Sequence, residues 1–156
     1  SAMTLQLPPF SASTLKGDAL LGHFTDLTHA YRFGPPKHDI VIARLGNAAS
    51  GEALHEDVYF PQGMNLPMQH GATVELAAHA KAPGRIALTL RSDVFLQAVA
   101  LECTTDRPND NHFHLAPGLS RTVLFRADPG QGGEFKVHVS AVNIRETWTV
   151  RCQRAE

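Results

Sequence analysis

From residue 73 onward, apolar and polar residues alternate with a period of two, a pattern that admits strands and little else. Val74, Leu76, Ala78 and Ala80 alternate with Thr73, Glu75, Ala77 and His79. After Ala82-Pro83-Gly84 the pattern resumes, with Ile86, Leu88 and Leu90 set against Arg85, Ala87, Thr89 and Arg91. Successive strand side chains point to opposite faces, so each run buries one face and wets the other. Two such runs about a Pro-Gly pair predict a hairpin. Pro83 and Gly84 at the central positions suit a type II turn; two-residue hairpin loops prefer primed turns, which leaves a longer loop open.

The period returns twice. Phe135, Val137, Val139 and Ala141 oppose Glu134, Lys136, His138 and Ser140, and Trp148, Val150 and Cys152 oppose Thr147, Thr149 and Arg151. Residues 40–45, 53–60, 94–103 and 119–126 read as less regular strands. About eight short strands separated by Gly, Pro, Asn and Asp predict an all-β fold, an antiparallel β-sandwich. The Gly-rich piece Asp128-Pro129-Gly130-Gln131-Gly132-Gly133 reads as a hairpin loop. A phosphate cradle would need a helix after it, and a strand follows.

Ahead of the sandwich the pattern differs. Residues 4–15 read as extended pieces around Pro8-Pro9, the end of a preceding β domain, with Ser1-Ala2-Met3 as an expression scar. Leu20, Phe24, Leu27 and Tyr31 recur at helical spacing, which predicts a short helix with Asp18 as N-cap. Gly34-Pro35-Pro36 stops it. The expected organisation is therefore residues 1–15 as scar and preceding domain, 16–36 as a linker with a short helix, and 37–156 as the sandwich.

Charge narrows the partners. Fourteen basic and fifteen acidic residues give a net charge of −1 without runs, so nothing marks a nucleic-acid or anionic-membrane surface. No apolar stretch approaches the ~20 residues that cross a bilayer, and the N-terminus lacks signal-peptide regions. Cys103 and Cys152 could pair in an exported chain, although their order with Trp148 is not the Cys…Trp…Cys of antibody domains. A sandwich of ~120 residues buries roughly two-thirds of its unfolded surface and needs no covalent staple.

The run Asp110-Asn111-His112-Phe113-His114-Leu115-Ala116-Pro117-Gly118 reads as a β corner. Asp and Asn bend the chain through their own backbone, Phe113 and Leu115 share a face, and Pro117-Gly118 supplies a turn. The run also resembles the Asp-Asn-aromatic-Phe-x-Leu-x-Pro-Gly signature near the C-terminus of β-mannosidases of glycoside hydrolase family two. Thr28-x-Ala30-Tyr31-Arg32-Phe33-Gly34-Pro35-Pro36-x-His38-Asp39 and Val58-Tyr59-Phe60-Pro61-x-Gly63 resemble the segment leading into the last immunoglobulin-like domain in a bacterial branch of that family. Together these stretches cover roughly residues 20 to 125.

The resemblance implies an immunoglobulin-like sandwich that is a non-catalytic C-terminal part of a retaining glycosidase. Such an enzyme removes terminal β-D-mannose from mannosides, using two carboxylates of a (β/α)₈ barrel for which this chain has neither the length nor the pattern. Implied partners are that barrel and an adjacent β-sandwich of the same polypeptide, with β-mannoside reached only through the parent enzyme. The implied setting is soluble and bacterial, cytoplasm or periplasm left open. Tyr31, Phe33, Asp110, Asn111, Phe113, Leu115, Pro117 and Gly118 are then structural anchors.

No residue is selected as catalytic, and no cofactor or metal is expected. His112-x-His114 has the spacing of a cupin ligand pair, yet Leu115 to Gly118 supply no acid after it. His38-Asp39 are adjacent, so in a strand they would face opposite ways. No Gly-x-Ser-x-Gly, His-Glu-x-x-His or phosphate-loop motif occurs. Two readings from other classes stay open. One is a stand-alone sugar-binding sandwich with Trp148 and Tyr59 as candidate stacking platforms, although Trp148 shares a face with Val150 and Cys152. The other is an immunoglobulin-like interaction module with Cys103 paired to Cys152.

Overall fold

Alternating sequence becomes alternating burial most cleanly along three strands, residues 74–82, 135–140 and 148–152, of the computed structural model, which describes residues 1–31, 33–51, 53–128 and 133–155. In chain order the elements are α1 (Gly17–Leu21), β1 (Val41–Gly46), β2 (Ala53–Tyr59), β3 (Val74–Ala82), β4 (Arg85–Ser92), β5 (Leu96–Glu102), β6 (Asp106–Pro108), β7 (Phe113–Leu115), β8 (Ser120–Ala127), β9 (Phe135–Ser140) and β10 (Trp148–Cys152). The chain divides into two units, Ser1–Leu66 and Pro67–Glu156.

The second unit is the sandwich. One sheet has the order β3-β4-β8-β6 and the other β10-β9-β5-β7, with every strand pair antiparallel. Ile86, Leu88 and Leu90 of β4 and Val123 and Phe125 of β8 form the inner face of the first sheet. Leu96, Val99, Leu101, Phe113, Leu115, Phe135, Val137 and Val139 form that of the second. Phe125 and Phe135 meet edge to face across the core, their centroids 5.0 Å apart. Fully burying one such side chain contributes about 1.5–3 kcal/mol, so this single cluster carries most of the stability of the unit.

The predicted hairpin is β3–β4, with Ala82 paired to Arg85 around Pro83 and Gly84. Gly84 has φ 68°, which with the fixed negative φ of proline gives the type II pattern and excludes both primed turns. The twist mismatch is met by a register shift between Ala80 and Ala82. A second bulge lies in β5, where Leu96 faces Leu115 and Val99 faces Phe113. Ala98 within it has φ 47°, and its N–H donates to Nδ1 of His114 at 3.1 Å, so the side chain replaces the missing ladder bond.

Several expectations are corrected. The linker helix extends only over Gly17–Leu21; Gly22 follows in the left-handed conformation and closes it by donating to the Asp18 carbonyl. Its N-cap is Lys16, while the Asp18 carboxylate accepts from the Thr25 N–H at 3.2 Å. The stripe Leu20, Phe24, Leu27, Tyr31 therefore never lines one helix face, and Phe24 and Tyr31 are exposed. Glycine ends the helix here because it adopts positive φ without steric cost.

Strands β6 and β7 add to the expected number; three residues are too few to display a period. The connection from β8 to β9 is not a hairpin, since the two strands lie in different sheets. Residues 129–132 of that expected loop, and Arg32 of the linker motif, lie outside the described residues. In the first unit β1 and β2 pair only with each other, from Val41–Tyr59 to Gly46–Ala53. The two four-stranded sheets thus draw on residues 74–152 of the 37–156 expected.

Candidate functional site

The corner at residues 109–121 is where sequence motif and geometry coincide most closely. Asn111 acts as a substitute strand for β5: its Oδ1 accepts from the Leu101 N–H at 2.8 Å and its Nδ2 donates to the Leu101 carbonyl at 3.1 Å. Asp110 accepts a hydrogen bond from the Arg121 guanidinium, which lies 4.3 Å from the centroid of the Phe113 ring. Phe113 and Leu115 are buried in the core. Ala116 to Leu119 close a turn in which Gly118 has φ 72° and donates to the Ser92 carbonyl at 2.7 Å. His112, at φ 57°, turns the chain into β7. Asp110, Asn111 and Gly118 thus hold backbone and Phe113 and Leu115 fill core, while Pro117 is exposed in the turn.

Beside the corner lies an open cleft of about 420 Å³, lined by Thr73, Glu75, Arg91, Ser92, Asp93 and the Pro117-Gly118 turn. Two carboxylates in one cleft invite a hydrolytic reading. Both are engaged: Glu75 lies 3.8 Å from Arg91, and Asp93 accepts from the Thr73 N–H at 2.9 Å. Arg91 also donates to the Gly118 carbonyl at 3.3 Å. The cleft's polar groups stabilise the corner rather than converge on a ligand.

The most buried charge is elsewhere. Asp106 of β6 has a side chain with no solvent exposure and takes both terminal nitrogens of Arg154, at 2.6 and 2.8 Å. Arg154 follows β10 of the other sheet, so this fork joins a strand of one sheet to the segment that leaves the other. The Arg154 guanidinium holds the Asp106 carboxyl below the ordinary carboxylate range, outweighing the opposing effect of burial, and the Thr105 hydroxyl adds a bond at 2.6 Å. Reciprocally, Asp106 raises the pKa of Arg154. Nothing in sequence spacing selects this pair, because 48 residues separate its members.

The remaining candidates are dispersed. His114 stacks on Phe95 at 5.6 Å and spends Nδ1 on the β5 bulge, while His112 is exposed. Among the described residues no three His, Cys, Asp or Glu gather in a way that could hold a metal ion. His38 is half-buried beside an exposed Asp39, and its Nε2 has no hydrogen-bond partner among the described residues. Trp148 packs against the core. Tyr59 is half-exposed and donates its hydroxyl to the Thr28 carbonyl at 3.0 Å. Tyr31 and Phe33 are 70% and 93% exposed and meet edge to face, 6.1 Å apart.

Cys103 and Cys152 are free thiols. Strand β9 runs between them, since Glu102 pairs with His138 and Cys152 with Phe135, so the bridge expected of an interaction module does not form. Adjacent strands are about 4.8 Å apart, and two such steps exceed the reach of a disulfide. No described helix is long and apolar enough to cross a membrane.

A sandwich of this order, with its Asp-Asn corner, can be compared with known families. Residues 72–148, just under half of the chain, match the family model Ig_mannosidase, described as an Ig-fold domain. That segment is similar to the Ig-fold domain the model describes. No curated protein matches the chain. The matched span opens just ahead of β3 and ends at Trp148, the first residue of β10, so it takes in the corner, the cleft and Asp106, with Arg154 beyond it.

Proposed function

We propose that this chain is a non-catalytic accessory part of a β-mannosidase-like retaining glycoside hydrolase, of the kind grouped in glycoside hydrolase family two. The observation that carries the reading is the mannosidase-type Ig-fold match over the sandwich, joined to the way its carboxylates are used. Asp106, Asp110, Asp128 and Glu134 each pair with an arginine, and Glu75 and Asp93 are engaged at the cleft. A retaining glycosidase needs two carboxylates ~5 Å apart on either side of a sugar, one of them free to donate a proton. In this reading those groups reside on a barrel elsewhere in the polypeptide, and the sandwich packs against the barrel or a neighbouring sandwich.

The exposed apolar residues of the first unit support the same reading. Phe10, Leu15, Phe24, Tyr31, Phe33 and Leu54 are all exposed, apolar groups that a further domain would cover. The test has two arms. The purified chain should show no turnover of an aryl β-D-mannoside, and the coding sequence upstream of residue 1 should encode a barrel. Turnover by the chain alone would overturn the accessory role, and an upstream region without a barrel would overturn the parent enzyme.

A further inference from the structure

Four of the arginines in sandwich strands have a carboxylate partner: Arg91 with Glu75, Arg107 with Asp128, Arg121 with Asp110, and Arg151 with Glu134. Arg85 of β4 and Arg126 of β8 have none among the described residues, and they are direct partners in the strand register. On its other side Arg126 is the register partner of Arg107 in β6. The adjoining residues Ile86, Phe125 and Asp106 are buried, so Arg85, Arg126 and Arg107 point together from the outer face. With strands about 4.8 Å apart, they form a row of guanidinium groups roughly 10 Å long.

Like charges directly opposed across a sheet are destabilising. Among the described residues no carboxylate forms an ion pair with Arg85 or Arg126, the acid in the row, Asp128, being taken by Arg107, and this points to a counter-charge from outside. Next along the same face is the pair Ala87 and Leu124, with Leu124 51% exposed. Arginine beside an exposed aliphatic side chain is the composition of a protein interface, where charged rims flank apolar contacts. Two arginines without a carboxylate partner, beside a third already paired with Asp128, cover too little backbone for nucleic acid, whose binding rests on many phosphate contacts.

We propose that the outer face of the β3-β4-β8-β6 sheet docks an acidic face of another protein domain, with Arg85 and Arg126 taking carboxylates as Arg107 already takes Asp128 at 2.8 Å. The partner needs two or three Asp or Glu side chains in line and an aliphatic group to cover Leu124. The inference is independent of the glycosidase reading, since the row exists whatever polypeptide carries the domain.

The test uses the full chain, isotope-labelled, titrated at low salt with a synthetic strand peptide of alternating Glu and Val. A Gln-for-Glu version, inorganic sulfate and a single-stranded oligonucleotide serve as comparison probes. The expected result is saturable shifts confined to β4, β6 and β8, weakened about tenfold or more by Arg85→Glu with Arg126→Glu, and unchanged by Arg44→Glu. Binding unaffected by the double substitution, or matched by the Gln peptide or by sulfate, would overturn the proposal; so would tighter binding of the oligonucleotide. A second measurement needs no ligand: Arg85→Glu alone should raise the thermal midpoint by about 1–5 °C by pairing with Arg126. A lowered midpoint would show that the row carries no unrelieved repulsion.

Discussion

Asp106 and Arg154 show how much a single buried pair can decide. Neither side chain can be removed alone without leaving the other desolvated and uncompensated, and breaking such pairs costs about 3–5 kcal/mol. Because Arg154 keeps 13% of its exposure, Arg154→Ala should fall at the low end, about 3 kcal/mol by urea denaturation. The pH dependence has a definite sign. The folded-state pKa of Asp106 is depressed, so its stabilisation is complete above about pH 4, the ordinary carboxyl value, and is lost as pH falls through the folded value. The stability gap between the wild type and Arg154→Ala should therefore shrink between pH 7 and pH 3. Asn143 works similarly without charge, accepting from the Gln97 N–H and donating to the Phe95 carbonyl, both at 2.8 Å. Asn143→Ala strands two buried backbone groups and should cost about 2–4 kcal/mol in the same measurement.

At the scale of elements, the strands with clean alternation were legible and the short or irregular ones were not. β3, β4, β9 and β10 follow directly from period two, because one of their faces is buried (β4, β9) or half-buried (β3, β10) along its length. β6 is legible only in retrospect, through Asp106, whose burial depends on a partner 48 residues away. The linker helix forms but stops early for a local reason, since Gly22 adopts positive φ before the apolar stripe can complete a second turn. Turn chemistry was the more reliable guide. Gly84 and Gly118 both occupy the positive-φ position after a proline, so Gly84→Ala or Gly118→Ala should each destabilise by about 1–2 kcal/mol, read as a shifted denaturation midpoint.

For the molecule as a whole, burial is unequally shared. Of the buried apolar residues among those described, only Ala30 belongs to residues 1–66, whereas the sandwich holds the cluster from Ile86 to Ile144. A lone two-stranded ribbon is marginal in water, so hydrogen exchange should separate the units. Amides of Leu88, Val123 and Val137 should exchange at the global unfolding rate, and those of β1 and β2 orders of magnitude faster. Equal protection in both would show that the first unit has a stability its own packing does not provide.

The order of residues alone determined the alternating strands between residues 74 and 152, because side-chain alternation is a local property that one inward face imposes on each strand. It also determined the corner at Asp110 to Gly118, whose turn residues act over a few positions. Which strands share a sheet, that Asp106 meets Arg154, and that Arg85, Arg126 and Arg107 stand in one row were decided only by tertiary structure. Those juxtapositions depend on register and on crossing between sheets, and sequence distance carries no record of either.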